Sequence, residues 1–293
     1  MASARVAVVG VSEGLTCGAR DHAGLLAEAL EQRGVACSMH WLWREQSSLR
    51  ETRSEVRAWA QTLPGELARE RPDAVLLHYS VFSYSYRGIP LLIHPLLMAL
   101  RRAGIPALTV MHEFVYPWRA GDWRGNLWAL TQRAALIEVV SRSAGLVVTT
   151  KERADWFACK RWLARRLTVV APVFSNLPAP SPDHRPKRSG RLVGLFGYSY
   201  QGAAMAVVLD GLRLLADRGI ELDLRLAGGP GRASAAGESW LTAAGERGLG
   251  ERISFTEILP APELVEALAE CDVLLFADTP GPSSRKGLSL IHI

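Results

Sequence analysis

The sequence has few cysteines and very little lysine. Its four cysteines, Cys17, Cys37, Cys159 and Cys271, are far apart, with no CxxC pair and no histidine at zinc-finger spacing. Neither a disulfide framework nor a zinc site is therefore expected. Only four of the 34 basic residues are lysines. The arginines are scattered rather than striped, which is typical of a GC-rich genome and argues against a nucleic-acid partner.

A long hydrophobic run is also missing. The longest apolar stretch, residues 89–100, is interrupted by Pro90, His94 and Pro95, and it is shorter than the roughly 18 to 20 residues that a membrane-spanning helix needs. The first ten residues, MASARVAVVG, pass directly into a strand-like run, so no secretory signal is predicted. We therefore expect a cytoplasmic protein without a transmembrane span.

Two common nucleotide-binding motifs are absent as well. The loop after the first predicted strand, GVSEGLTCGARDHAG (10–24), does not match GxGxxG, and no segment matches GxxxxGK[ST]. The sequence therefore argues against a nicotinamide or flavin cofactor, and against hydrolysis of ATP or GTP by a P-loop mechanism. Glycines of this loop, including Gly14 and Gly18, still allow the backbone to approach a ligand, and Asp21 is expected to cap the following helix.

The 293 residues, 48% of them hydrophobic, are enough for two globular domains. Short β-branched runs alternate with helical stretches, which predicts a parallel sheet covered by helices on both faces. In the first part of the chain, strands are predicted at 6–9, 35–40, 74–78, 107–111, 146–149 and 168–171, and helices at 21–33, 51–70, 89–103, 124–143 and 151–165. Gly34, Gly104 and Gly145 are expected to stop helices.

The proline-rich segment SNLPAPSPDHRPKRSG (175–190) predicts a linker, after which the alternation restarts. Strands are predicted at 192–196, 222–227, 253–255 and 273–276, and helices at 203–218, 238–248 and 262–270. The predicted fold is therefore α/β, with Rossmann-like doubly wound domains at 1–174 and 191–293. The second domain is expected to be truncated, because the chain stops inside an apolar run whose last residues, GLSLIHI, look like translated adapter sequence.

Charge differs between the two predicted domains. Residues 1–174 hold 22 basic and 15 acidic side chains, whereas the rest of the chain holds 12 and 14. A basic first domain suits an anionic acceptor or a membrane surface. The segment KERADWFACKRWLARRL (151–167) leaves two interpretations open. Its cations and aromatics could rest on an anionic membrane, or Trp156, Leu163 and Leu167 could pack on the sheet while the cations form a solvated face.

The expected ligand site lies outside the carboxyl ends of the strands, in the crevice between the two domains. His112 follows the strand at 107–111 and can hydrogen-bond a substrate hydroxyl or phosphate. The alternative is a histidine that only ties down its own loop. His78 and His94 are expected to be structural residues.

In the second domain, three loops after strands could hold phosphates. GLFGYSYQG (194–202) and AGGPG (227–231) each run through a glycine turn, and helix N-termini offer backbone amides to anions. TPGPSSRKG (279–287) adds hydroxyl and cationic side chains, which could stabilise a diphosphate leaving group. The candidate donor-binding residues of these loops are Gly197, Tyr198, Ser199, Gly228, Gly229, Ser283, Ser284, Arg285 and Lys286.

The chain resembles a glycosyltransferase of the GT-B fold. The resemblance rests on the repeated domains and on these segments: the ARVAVVG strand with its glycine loop, the strand ending in His112, GLFGYSYQG, RLAGGPG, ERISFTEILPAPELVEALAECDVLLF and TPGPSSRKG. Its nearest relatives would be the retaining family 4 and family 1-like enzymes. The resemblance covers nearly all of residues 1–287. It implies a nucleotide-sugar donor held mainly by the second domain, a hydroxyl acceptor held by the first, and no metal or other cofactor. It makes His112 the catalytic residue, in contact with the donor sugar, and places Gly14 and Gly18 near the diphosphate.

Two stretches depart from the family pattern. Many relatives carry an arginine and a lysine after the first strand of the second domain, where this chain has YSYQ (198–201). A glutamate of the family is replaced by Ser283 or Ser284. Two further hypotheses therefore stay open beside a transferase: a non-catalytic GT-B module that partners an active transferase, and a nucleotide-sugar epimerase. An epimerase needs several acid/base groups in the cleft, and His112 and Glu113 are the evident candidates.

Overall fold

The computed structural model describes residues 4–13, 17–45, 48–172, 177–179, 190–197, 203–229 and 231–275. These residues form two compact units, divided between residues 176 and 177. The division falls inside the segment 175–190 that the sequence predicts as a linker. Residues 175–176 and 180–189 of that segment lie outside the described part of the chain, so its bounds stay a prediction.

The first unit alternates strands and helices. Its elements are β1 (Arg5–Glu13), α1 (Gly18–Glu31), β2 (Ala36–Arg44), α2 (Leu49–Glu70), β3 (Ala74–Ser80), α3 (Ile93–Ala103), β4 (Ala107–Glu113), α4 (Trp123–Arg142), β5 (Gly145–Val148), α5 (Lys151–Cys159) and β6 (Leu167–Val170). The strands form one parallel sheet in the order β2-β1-β3-β4-β5-β6. The strand order reverses between β1 and β3, which is the position where sheets of this kind bind ligands.

Burial explains why these apolar runs become strands. The central strands β1, β3 and β4 carry side chains that are fully buried beneath the flanking helices, including Val9, Leu77 and Met111. Polar caps begin the helices: the Ser48 hydroxyl accepts from the Glu51 amide at α2, and the Asp122 carboxylate accepts from the Gly125 amide at α4, at 2.8 Å.

The second unit repeats the pattern on a smaller scale. Its elements are β7 (Leu192–Phe196), α6 (Ala203–Asp217), β8 (Asp223–Ala227), α7 (Ala235–Gly245), a 3₁₀ turn (Gly250–Arg252), β9 (Ile253–Glu257), α8 (Ala261–Ala269) and β10 (Val273–Leu275). The four described strands are parallel, in the order β10-β7-β8-β9. A separate core includes Leu195, Leu226 and Trp240.

Several predicted boundaries are wrong for local reasons. Gly145 does not stop a helix: α4 already ends at Arg142, the backbone of the following Ser143 is extended, and Gly145 is the first residue of β5. Asp21 does not cap α1, because that helix begins earlier, after Cys17. The helix predicted from residue 89 begins only at Ile93, since Tyr86 and Ile89 pair across a tight turn before it.

No helix in the described ranges is both long and apolar enough to cross a bilayer.

Candidate functional site

His112 lies near the carboxyl end of β4 and is 1% exposed. β4 pairs with β3 in regular register up to Tyr79 and Met111, after which Ser80 pairs with Glu113. β4 therefore has one residue more than β3 at this step, and that residue is His112. Such β-bulges redirect a side chain and are common beside active sites. The bulge thus accounts for the position of the His112 ring at the end of the sheet.

Three histidines from three separate elements form a buried cluster, which we call the histidine cluster: His22 of α1, His78 of β3 and His112 of β4. His78 Nδ1 lies 2.9 Å from His112 Nε2, a hydrogen-bond distance. The centroid of the His22 ring is 5.3 Å from that of His112 and 5.8 Å from that of His78. The fold therefore puts His78, expected as a structural residue, in direct contact with the candidate catalytic residue.

Burial keeps the three imidazoles neutral. Desolvation, helped by the charge of His22, lowers the pKa of His78 to about 3. Desolvation also lowers the pKa of His112 well below its ordinary value, and charges on His78, His22 and Arg153 add to the effect. The pKa of His22 is likewise lowered by burial. Near neutral pH each ring therefore carries one N–H and one lone pair.

The hydrogen bond between His78 and His112 fixes what the pair presents outward. One of its two nitrogens donates and the other accepts, so the two outer nitrogens, His112 Nδ1 and His78 Nε2, must have opposite roles. One carries an N–H and the other a lone pair. Neither outer nitrogen has a hydrogen-bond partner among the described residues. A buried pair of this kind can donate to one polar group of a ligand and accept from another.

Trp41 of β2 forms one wall of the histidine cluster. Its ring lies 5.9 Å from that of His78, centroid to centroid, and its Nε1 donates to Ser12 Oγ at 2.7 Å. The indole lies directly over Gly10 of β1, where an added Cβ would come within 2.3 Å of a ring carbon. Gly10 therefore permits the close approach that brings Trp41 against His78.

Arg153 of α5 is a buried cation beside the cluster, with 3% of its surface exposed. It donates to Thr149 Oγ1 at 2.7 Å and to the Met111 carbonyl at 3.3 Å, and its guanidinium lies 5.6 Å from the centroid of the Phe114 ring. The expectation that all cations of this segment lie on a solvated or membrane-facing surface is therefore wrong for Arg153. Its spacing in the sequence gave no sign of this burial.

The segment 151–167 differs in other ways from its prediction. α5 ends at Cys159, so the segment is not one continuous helix. Leu163 is 6% exposed and belongs to the core, as expected, and Trp156 is half-buried. Leu167 is 76% exposed, because it begins the edge strand β6, and Trp162 is 42% exposed. Apolar and cationic side chains thus share this surface of the first unit.

In the second unit, the glycine turns after β7 and β8 pack against each other. Gly197 has φ 95° and its amide donates to the Ala227 carbonyl at 3.0 Å, while the Gly228 amide donates to Thr256 Oγ1 at 3.0 Å. A Cβ on Gly229 would lie 3.1 Å from the Gly197 oxygen. The turns are close enough to need glycine. The amides of Gly197 and Gly228 are engaged within the protein, so a phosphate bound here would use other donors.

Glu257 is a further residue at this edge that the sequence did not single out. It ends β9 with φ 58°, a left-handed conformation that a non-glycine residue rarely adopts. Its carboxylate lies close to Gly231, where an added Cβ would be 2.8 Å from Oε1. Strained backbone of this kind is often found at binding sites.

The other expected site residues are only partly described. Gly18 is the first residue of α1, on the same helix as His22. The remaining candidates lie outside the described residues: Gly14, Tyr198, Ser199, Ser283, Ser284, Arg285 and Lys286.

An open cavity of about 660 Å³ in the second unit contains none of the expected donor-binding residues. It is lined by Arg191, Asp223 and Arg252, which lie at the amino ends of β7, β8 and β9. Ligands of open parallel sheets bind at the carboxyl ends. We therefore place the candidate site of this unit at the glycine turns and not in this cavity.

Comparisons with known proteins identify structural relatives only. No protein-family model matches the sequence, and no curated protein matches it significantly. Among solved structures, sucrose-phosphate synthase from Thermosynechococcus elongatus is similar over 92% of this chain and 74% of its own, with TM-score 0.64 and 12% identity. Anabaena HepE, solved in complex with UDP and glucose, matches 92% of this chain and 73% of its own, with TM-score 0.58 and 16% identity.

An epimerase has the same fold. UDP-GlcNAc 2-epimerase from Neisseria meningitidis, bound to UDP-GlcNAc, is similar over 92% of this chain and 76% of its own, with TM-score 0.56 and 8% identity. At such identities the similarity establishes architecture and leaves activity open. The chain is an α/β protein of the GT-B fold, with two Rossmann-like units in succession.

Proposed function

We propose that the protein is a glycosyltransferase that moves a sugar from a nucleoside diphosphate donor to a hydroxyl acceptor with retention, in the manner of family 4 and family 1-like enzymes. The observation that carries the proposal is the buried His78–His112 pair at the carboxyl ends of β3 and β4, within a GT-B fold. Its outer nitrogens offer one N–H and one lone pair to a ligand. Two hydroxyls of one sugar match that pattern, because one can accept from the N–H and the other can donate to the lone pair.

In this proposal the donor lies mainly on the second unit. The glycine turns after β7 and β8 approach the diphosphate, while Arg285 and Lys286 neutralise the charge that develops as the bond from the anomeric carbon to the diphosphate breaks. The acceptor oxygen forms the new bond and its hydroxyl proton is released. His112 holds the donor sugar, so catalysis rests on positioning and electrostatics and needs no protein nucleophile. HepE, which was solved with UDP and glucose, makes UDP the first nucleotide to test.

The experiment is a donor panel on the protein. Titration calorimetry with UDP, GDP and ADP selects the nucleotide, and release of nucleoside diphosphate from the matching sugars is then followed with and without simple hydroxyl acceptors. The proposal expects acceptor-dependent release that disappears in His112→Ala. Tight nucleotide binding without turnover would support the non-catalytic module instead, and absence of nucleotide binding would contradict both.

A nucleotide-sugar epimerase is the second candidate, and the histidine cluster favours it. The sequence offered His112 and Glu113 as acid/base groups, whereas the fold adds His22 and His78 next to His112. Proton transfer to and from a sugar carbon needs such groups within reach of one another. Incubation with UDP-GlcNAc in D₂O distinguishes the candidates: an epimerase yields the 2-epimer with deuterium at C2, and a transferase leaves that carbon unchanged.

A lipid-linked acceptor at a membrane surface is part of the proposal and has its own test. The exposed Trp162 and Leu167 lie among the cations of segment 151–167. We expect the protein to sediment with vesicles that contain anionic lipid at low salt and to be released from them by moderate salt. It should not sediment with neutral vesicles. Replacing Trp162 by Ser should weaken this binding, with the buried Phe157 left intact. Binding that is indifferent to lipid charge and salt would leave a soluble acceptor.

A further inference from the structure

We propose that the histidine cluster binds a divalent transition-metal cation such as Zn²⁺ or Co²⁺. His22, His78 and His112 each offer one ring nitrogen, and these three atoms lie within 4.8 Å of one another. This inference goes beyond the proposed transfer reaction and does not depend on it. It departs from the expectation, drawn from the family resemblance, that no metal is bound.

The distances suit a three-imidazole site. Zn–N bonds of about 2.0 to 2.1 Å in tetrahedral geometry separate ligand nitrogens by about 3.3 Å. His78 Nδ1 and His112 Nε2 are 2.9 Å apart, so this pair already has nearly the required spacing. A separation of 4.8 Å would contract by roughly 1.5 Å, which is within the reach of side-chain rotation. Three ligands would leave the fourth position open, as in catalytic zinc sites.

Burial and charge state also suit a metal. The three residues are 8%, 2% and 1% exposed, so little water competes for the ring nitrogens. Their lowered pKa values keep the lone pairs available, and only a neutral imidazole binds a metal ion. Imidazole ligands without a carboxylate favour zinc, nickel, cobalt or copper over magnesium or calcium. One nearby charge acts against binding: Arg153 lowers the pKa of His112 and would repel a divalent ion in the same way.

Coordination would fix the tautomers of both central histidines. A metal on His112 Nε2 leaves the proton on Nδ1, and a metal on His78 Nδ1 leaves the proton on Nε2. In known sites the second nitrogen of a ligating histidine donates to a carboxylate, a carbonyl or water. His112 Nδ1 and His78 Nε2 have no such partner among the described residues. Both would then be N–H donors.

The first test measures metal content directly. An untagged chain carrying Cys159→Ser, which removes an exposed competing thiol, is stripped with chelator, desalted and titrated with Co²⁺ or Zn²⁺. We expect one ion per chain by mass spectrometry and visible Co²⁺ absorption of a tetrahedral nitrogen site. X-ray absorption of the Zn²⁺-loaded chain should show imidazole nitrogen at about 2.0 Å. No stoichiometric ion, or sulfur at about 2.3 Å, would overturn the proposal without any histidine variant.

Variants then locate the site. His22→Asn and His78→Asn should each weaken Co²⁺ binding at least tenfold and abolish the increase in melting temperature that the metal gives to the parent chain. The matched control is His94→Asn, because His94 is exposed and lies on α3, paired with Glu138 at 2.7 Å. Equal losses in the control, or undiminished affinity in His78→Asn, would overturn the assignment. Circular dichroism checks that each variant is folded.

Discussion

Replacing Gly10 by alanine tests the packing that holds Trp41 against the histidine cluster. The new Cβ would lie 2.3 Å from a carbon of the Trp41 ring, closer than any real contact, so the indole must move. Gly10 lies within β1 and is not among the residues with positive φ, so the alanine meets a steric obstacle and no backbone strain. Movement of the indole would also break its 2.7 Å hydrogen bond to Ser12.

These two effects set the magnitude. Overpacking a core position costs about 1 to 3 kcal/mol, and the lost hydrogen bond about 1 kcal/mol, so Gly10→Ala should lower the free energy of unfolding by about 2 to 4 kcal/mol. In a Trp41→Ala background the obstacle is gone, and the same substitution should change stability by less than about 0.5 kcal/mol. Gly24→Ala is the control: it lies inside α1 with nothing within 4 Å of the new Cβ, and it should stabilise by about 0.5 to 1 kcal/mol.

Urea unfolding followed by tryptophan fluorescence suits this measurement. Eight of the nine tryptophans precede residue 175, so the signal reports mainly on the first unit. A change in midpoint with an unchanged slope indicates a change in stability. If Gly10→Ala costs as much without Trp41 as with it, the contact between these two residues does not hold the wall of the site, and the reasoning is refuted.

Three further predictions concern binding, turnover and pH. His112→Ala should lower turnover with the donor sugar far more than it lowers affinity for the bare nucleotide, because the imidazole faces the sugar; equal losses would indicate a structural role, and His94→Ala is the exposed control. Arg285→Ala and Lys286→Ala should each weaken nucleoside diphosphate binding in calorimetry by about 1.5 to 3 kcal/mol if the lost charged hydrogen bond is well desolvated, whereas unchanged affinity would move the diphosphate site elsewhere. Burial acts to raise the pKa of Glu70, but hydrogen bonds from a serine and a histidine of β2 outweigh it and hold that pKa below 4.5. Glu70→Gln should therefore be less stable than the parent chain above pH 4.5, and this difference in unfolding free energy should vanish as the pH falls below that value. Because this carboxylate is partly exposed, the difference should be small, and a difference that grows in acid would contradict the assignment.

The order of strands and helices could be predicted from the sequence because each element is specified by a local residue pattern. Each buried parallel strand is a short apolar run, and β7 was predicted with the bounds that the structure gives, Leu192–Phe196. The ends of helices and strands were predicted less accurately where side-chain hydrogen bonds determine them. The Ser143 hydroxyl bonds both Thr109 and the Val139 carbonyl, and the chain leaves α4 there, ahead of Gly145.

The candidate site was only partly readable, because it depends on contacts between distant elements. His112 was predicted to follow a strand that ends at residue 111, whereas β4 continues to Glu113 and contains His112 near its carboxyl end. The contact with His78 depends on how β3 and β4 align and on the bulge at His112, and no local sequence pattern predicts either of them. His22 enters the cluster only because α1 begins at Gly18 and turns that face toward the sheet.

The histidine cluster is better explained by a ligand than by its contribution to stability. A buried polar atom without a hydrogen bond costs about 1 to 3 kcal/mol, and His112 Nδ1 and His78 Nε2 are two such atoms among the described residues. An apolar pair of similar size would fill the same space without that cost. Sugar hydroxyls would remove that cost directly, by pairing with the outer N–H and the outer lone pair. A metal ion would instead take the inner nitrogens and leave both outer ones as N–H donors. Both proposals expect ligand binding to stabilise the first unit, and they differ in which nitrogens the ligand occupies.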